Sequence, residues 1–138
     1  QKQVPENFQF ILKANKLMTK HDIGQDAVSD EDRKRAFYEY HRMVRPLVHA
    51  HQLKTVLFQF PPFFQRTTEN LQWLFEIRDQ MADLPIAVEF RDPSWYDPAL
   101  TADLMRYLKS LNMTHVIVDE PHRLTMVSRL SPRWRMSR

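Results

Sequence analysis

Four short apolar runs, each closed by polar or charged residues, limit what this chain can fold into. They are Phe8-Gln9-Phe10-Ile11-Leu12-Lys13, Val56-Leu57-Phe58-Gln59-Phe60-Pro61-Pro62, Ile86-Ala87-Val88-Glu89-Phe90-Arg91 and Val116-Ile117-Val118-Asp119-Glu120-Pro121. Runs that are apolar on both faces read as buried strands of a parallel sheet. In parallel α/β folds, functional groups gather where such strands end. The same residues that close the runs are therefore the first candidates for a site.

Helical spacing fills the gaps between the runs. Ser29 is a natural N-cap, followed by Asp30, Glu31 and Asp32 and by Phe37, Tyr40, Val44, Leu47 and Val48 on one stripe. Pro46 falls inside that stretch and predicts a kink or a restart, because proline cannot donate the helical hydrogen bond. Thr67 or Thr68 caps a second helix with Leu71, Leu74, Phe75, Arg78 and Met81 at spacings of three and four. Asp97 and Pro98 open a third, with Leu100, Leu104, Tyr107, Leu108 and Leu111 as its apolar stripe.

Strand, helix, strand, helix, strand, helix, strand is the order of a parallel α/β sheet. A nucleotide-binding open sheet needs glycines in its first strand–helix turn, and the single glycine here is Gly24. The order fits a TIM-barrel-like (β/α) fold instead. A complete barrel takes roughly 250 residues, so 138 residues amount to about half a barrel: four strands and three main helices. Four strands also leave two unpaired hydrophobic edges. The chain reads as a fragment of a longer one, with residues 1–122 as the partial barrel.

Charge is unevenly spread. After Glu120 come Arg123, Arg129, Arg133, Arg135 and Arg138 and no acid. Setting those five aside leaves 15 of the 20 Lys and Arg against 17 acids. The basic character therefore belongs to residues 123–138, read as an irregular tail rather than a phosphate clamp, and the body makes an unconvincing nucleic-acid binder. No run of about 18 apolar residues suggests a membrane span. The start has neither a signal-peptide pattern nor an initiating Met, so the chain reads as soluble and cytoplasmic with its true N-terminus missing. With no Cys, disulfides and thiolate chemistry are excluded.

These residues resemble the "domain of unknown function 72" family of bacterial barrel proteins. The matching stretches are Phe10-Ile11-Leu12-Lys13-Ala14, Pro46-Leu47, Leu57-Phe58-Gln59-Phe60-Pro61-Pro62, Asn70-Leu71, Ala87 to Trp95 (with Glu89-Phe90-Arg91 and Ser94-Trp95) and Val118-Asp119-Glu120-Pro121. They run from about Phe8 to His122. The resemblance implies a TIM-like barrel of roughly double this length and no agreed activity. The family's glycine- and tryptophan-containing first strand and its arginine-histidine-glycine-arginine stretch are not in this sequence. The segment from Arg123 to Arg138 does not look like the family's continuation.

Alternation along each strand puts Glu89 and Arg91 on the face of Ala87, Gln59 with Leu57, Lys13 with Ile11, and Asp119 with Ile117. If the greasier set faces the helices, these polar groups converge on the barrel mouth. Glu89 or Asp119 would then act as acid or base, Lys13 and Arg91 would hold anionic groups, and Gln59 would orient the ligand. Glu120 replaces Asp119 as the inward residue if the strand bulges. Trp95 and Tyr96 are candidates for a stacking wall against a ring-bearing or sugar substrate, or else a lid packed over the barrel end. The competing reading of Glu89 and Arg91 is a structural ion pair that plugs the barrel. Pro61-Pro62 reads as a rigid turn in which one bond can be cis.

The six histidines make a poor metal set. His49 and His51 lie on different sides of a helix, His21 is in a polar loop, and His115 starts its strand at the end away from the site. Only His122 neighbours carboxylates, and catalytic zinc takes three protein ligands. No metal is assigned, and the sequence names neither a cofactor nor an oligomeric state. The expectation is a barrel enzyme of unassigned reaction, acting on a small anionic or sugar-like molecule. The alternatives are a non-catalytic nucleic-acid accessory and a truncated, inactive fragment.

Overall fold

The computed structural model describes residues 7–22, 28–120 and 123–127, with 118–120 and 123–127 described by their backbone alone. Strand β1 (Phe10–Lys13) is followed by helix α1 (Asp30–His49), strand β2 (Leu53–Gln59), helix α2 (Thr68–Met81) and strand β3 (Ile86–Glu89). Two 3₁₀ turns (Pro93–Tyr96 and Pro98–Leu100) lead into helix α3 (Thr101–Ser110), then strands β4 (Met113–Glu120) and β5 (Arg123–Val127).

The helix starts follow from their caps. Ser29 Oγ accepts from the Asp32 N–H at 3.0 Å and Thr67 Oγ1 from the Asn70 N–H at 3.1 Å, each satisfying a donor that no helical carbonyl reaches. Asp97 caps differently from expectation. Its carboxylate accepts from Ala99 N–H at 2.9 Å, so it starts the second 3₁₀ turn, and α3 begins only at Thr101. Nor does Pro46 divide α1, which continues to His49. A proline in the last turn costs one hydrogen bond and has little helix left to break.

Strands β1 to β4 lie side by side in chain order, all parallel. Helix residues Phe37, Tyr40, Val44, Trp73, Leu74, Ile77, Leu104 and Leu108 join one core with Val56, Phe58, Val88 and Met113 from the sheet. All three helices thus cover the same face. A doubly wound sheet would carry helices on both. Sequential order with one covered face is the winding of a TIM-like barrel, here about half of one.

The helix-side core is densely aromatic. Phe60 stacks on Phe64 with ring centroids 4.1 Å apart and on Phe90 at 5.6 Å. On α2 the buried stripe is Trp73, Leu74, Ile77 and Met81, while Phe75 is about half exposed. Arg78, expected on that stripe, instead clamps four carbonyls: Ala82, Leu84, Leu111 and Asn112 at 2.5, 3.0, 2.9 and 3.2 Å. This ties the turn before β3 to the turn before β4.

Arg123–Val127 corrects the expectation of an irregular tail from Arg123 onward. It pairs antiparallel with β4, Val116 opposite Met126 and Ile117 opposite Thr125. The open edge of β4 offers unpaired backbone groups, and the next suitable segment satisfies them. Residues 128–138 lie outside the described part. All described peptide bonds are trans, so the cis bond open to Pro61-Pro62 is not adopted. No described helix is long and apolar enough to cross a membrane.

Candidate functional site

The sheet face turned away from the helices carries a small apolar patch of Ile11, Leu57, Ala87 and Val116. In register, Gln59 pairs with Glu89 and Glu89 with Val116, two residues beyond Leu57 and Ala87 toward the C-terminal ends and so on the same face. Glu89 is only 3% exposed. The Gln59 side-chain amide donates to Glu89 Oε1 at 2.9 Å, and Arg91 Nε lies 3.5 Å from Glu89 Oε2. The Arg91 side chain is 49% exposed, so the pair runs from the buried face out to solvent. Lys13 pairs with Leu57, lower on the sheet than Gln59, and its exposed amine meets no described partner. The structure thus brings Gln59, Glu89 and Arg91 together and leaves Lys13 apart.

The phase of β4 differs from expectation. Val116 lies in the inner patch, so Ile117 points the other way, and the argument that turned Asp119 inward beside it fails. The apolar run Val116-Ile117-Val118 has no alternation to reveal its phase. The pairing with β5 shifts between Val118 and Glu120, leaving Asp119 as the extra residue of a bulge. The side chains of Asp119 and Glu120, and all of His122, lie outside the described part.

Trp95 is withdrawn from the stacking wall. It is 1% exposed, stacks on Phe90 at 3.9 Å, and donates its indole N–H to the Phe64 carbonyl at 2.6 Å. The 3₁₀ turn Pro93–Tyr96 folds back onto the helix side, so the indole completes the aromatic core instead of facing the mouth. Tyr96 is partly exposed and donates its hydroxyl to the Phe90 carbonyl at 2.7 Å. Burial, and after it the negative charge of Glu89, push the phenol pKa up.

Two histidines gain significance that their sequence context did not suggest. His115 is the third residue of β4, paired with Val88, and its ring lies 5.8 Å from Tyr96 and 5.7 Å from Phe90. It is 6% exposed, and its Nε2 has no partner among the described residues. Burial pushes its pKa down to about 4. His21 sits in the loop after β1, with Nδ1 2.6 Å from Thr19 Oγ1. Burial, then the positive charges of Lys16 and Arg91, lower its pKa against the opposing pull of Asp22. Among the described residues no three His, Asp or Glu side chains gather as a metal set.

With this geometry in hand, the comparison with known proteins is decisive for the family. The family model described as "Protein of unknown function DUF72" matches residues 1–138. The chain belongs to the DUF72 family. That match takes in Arg123 to Arg138, which by sequence looked unlike the family's continuation. The DUF72 chain is 37% identical over 120 residues to the UPF0759 protein YunF of Bacillus subtilis (strain 168), covering 87% of this chain and 42% of that protein. It resembles the crystal structure of a DUF72 family protein from Enterococcus faecalis V583 with a TM-score of 0.75 and 33% identity, over 86% of this chain and 42% of that one. A DUF72 family protein from Thermotoga maritima MSB8 gives a TM-score of 0.69 at 29% identity, again over 86% and 42%. The DUF72 chain therefore spans less than half the length of these relatives.

Proposed function

We propose that the whole protein binds a small anionic or sugar-like molecule at the C-terminal rim of its barrel strands and acts on it by proton transfer, with Glu89 as the acid or base. One observation carries the reading: Glu89 is a buried carboxylate beside the apolar patch of Leu57, Ala87 and Val116 on the inner face, held by Gln59 from the neighbouring strand and by Arg91. Desolvating a carboxylate is costly, and an ion pair rarely stabilises a fold better than apolar packing of the same volume. Gln59 fixes the orientation of the carboxylate through one oxygen. Arg91, half exposed, can exchange its hold on Glu89 for a ligand anion. Asp119 or Glu120, at the end of β4, would supply a second carboxylate.

The test uses the full-length protein and a panel of phosphorylated sugars and nucleotides, comparing thermal shifts of wild type and Glu89→Gln. A ligand of this site raises the melting temperature of the wild type more than that of the variant. If no ligand separates the two, Glu89 and Arg91 are a structural pair that plugs the barrel end.

A further inference from the structure

We propose that Tyr96 is a pH-operated latch: it closes over His115 while the imidazole is neutral and swings off the ring when the imidazole takes a proton. The latch does not depend on the role of Glu89. That role bears only on what the latch governs, because the Pro93–Tyr96 turn leaves the same end of β3 that carries Glu89.

His115 lacks what a buried polar group ordinarily has. It stands opposite Val88 on the helix side of the sheet, 6% exposed, and its Nε2 meets no partner among the described residues. Buried polar atoms nearly always find a partner, and an exception calls for a role beyond packing. Protonation makes both ring nitrogens donors and adds a buried positive charge, so the same surroundings become harder still to occupy. The groups packed on the ring bring no relief. Phe90 and Tyr96 lie at ring-centroid distances of 5.7 and 5.8 Å, and the Tyr96 hydroxyl is turned away to the Phe90 carbonyl at 2.7 Å. Helix α3, which packs on β4, turns Leu104 and Leu108 to the core. Among the described residues no charge acts on the imidazole, and burial alone holds its pKa down. The titratable group against it is the Tyr96 phenol, whose own raised pKa keeps it neutral in acid.

The turn over His115 is firmly tied at one end and loosely at the other. Ser94 N–H donates to the Asp92 carboxylate at 2.9 Å, and Ser94 Oγ accepts from Arg66 N–H at 2.8 Å. Trp95 is locked into the core by its bond to the Phe64 carbonyl and its stack on Phe90. Tyr96, by contrast, is 40% exposed and rests on its hydroxyl bond to Phe90 and its ring contact with His115. A residue with few buried contacts next to a well-anchored one can open locally while the core stays packed. The closed form resists the proton, with a pKa of about 4, whereas an imidazole reached by water binds it near the ordinary 6.5. Acid therefore favours the open form as pH falls from 6.5 toward 4. Opening frees the Phe90 carbonyl, between Glu89 and Arg91 in the chain, and so loosens the strand end where the proposed site lies.

Ring resonances of Tyr96 and His115, followed by NMR in the full-length protein as the pH is lowered, test the latch. The Tyr96 signal should lose the shift caused by stacking at the same pH at which His115 titrates, while the Trp95 indole N–H signal stays in place. In His115→Phe, which keeps a ring beneath Tyr96 but cannot take a proton, the Tyr96 signal should not respond to pH. Tyr96→Phe removes the hydroxyl bond and should raise the His115 midpoint by about 0.5–1 pH unit, the equivalent of one neutral hydrogen bond. A Tyr96 signal that stays put while His115 titrates overturns the latch, and so does a Tyr96 response that survives in His115→Phe. Loss of the Trp95 signal at the same midpoint also overturns it, because acid is then unfolding the core. Should His115→Phe fail to fold, Tyr96→Phe decides alone: an unshifted His115 midpoint sinks the proposal. None of these readings changes if the ligand panel shows Glu89 to be structural.

Discussion

On the helix side of the sheet, Val56, Phe58, Phe60, Val88 and Phe90 pack with all three helices into one apolar core, into which Trp95 also folds. On the other side of the same strands, Ile11, Leu57, Ala87 and Val116 form a small patch beneath Gln59 and Glu89. Adjacent residues of β2 and β3 thus answer to different demands. The helix side removes large aromatic surfaces from water and finds partners for all of them within this chain. The inner side spends buried volume on a carboxylate and an amide, which apolar side chains would fill at less cost. Apolar packing is concentrated on one face and the proposed site lies on the other, the arrangement of a barrel whose rim can vary without disturbing its outer layer.

The sharpest way to break this contrast is to truncate the helix side. Trp95→Ala should cost about 3–5 kcal/mol, since it opens a cavity and orphans the Phe64 carbonyl. Urea unfolding measures it, and a loss below about 1 kcal/mol would return the indole to the list of rim candidates. Next comes His115, buried on the helix side but close to Tyr96. Its folded pKa of about 4 lies below the ordinary value of 6.5, so the unfolded chain binds the proton more readily. Stability is then full above pH 6.5 and is lost as pH falls from there toward 4, by up to about 3 kcal/mol. Chemical denaturation across that range should show the slope, and His115→Phe should flatten it.

Smaller effects refine the picture. Thr67→Ala removes the cap of α2 and should cost about 1 kcal/mol, read from the same denaturation curves. Ala82 ends α2 with φ of 53°, a region that favours glycine, so Ala82→Gly should gain roughly 0.5–1 kcal/mol. The smallest change in stability belongs to the inner face. Glu89→Leu should stay within about 1 kcal/mol of wild type while abolishing any ligand-induced thermal shift. A large loss of stability there would instead make the ion pair part of the scaffold.

Much of this was legible in the residues. Ser29 and Thr67 announced their helices because an N-cap is a local bargain between one side chain and the N–H three residues on. The inward placement of Gln59 and Glu89 followed from alternation, since Phe58, Phe60, Val88 and Phe90 so plainly belong to the greasier face. Alternation failed in β4, where Val116, Ile117 and Val118 are equally apolar and give no phase. Trp95 misled because an aromatic residue after a strand fits a rim as well as a core, and only the direction of the 3₁₀ turn distinguishes them. The strand from Arg123 was masked by its charge, although what drew it into the sheet was the open edge of β4.

By itself the sequence determined the order of the four parallel strands and three helices, the caps of α1 and α2, and which short runs had to be buried, because those depend on neighbours a few residues away. The tertiary structure alone decided that His115 lies deep beside Tyr96 and that Trp95 faces the helices. Such encounters join segments tens of residues apart. They depend on the register of parallel strands and the path of their connecting loops, and no local periodicity encodes either.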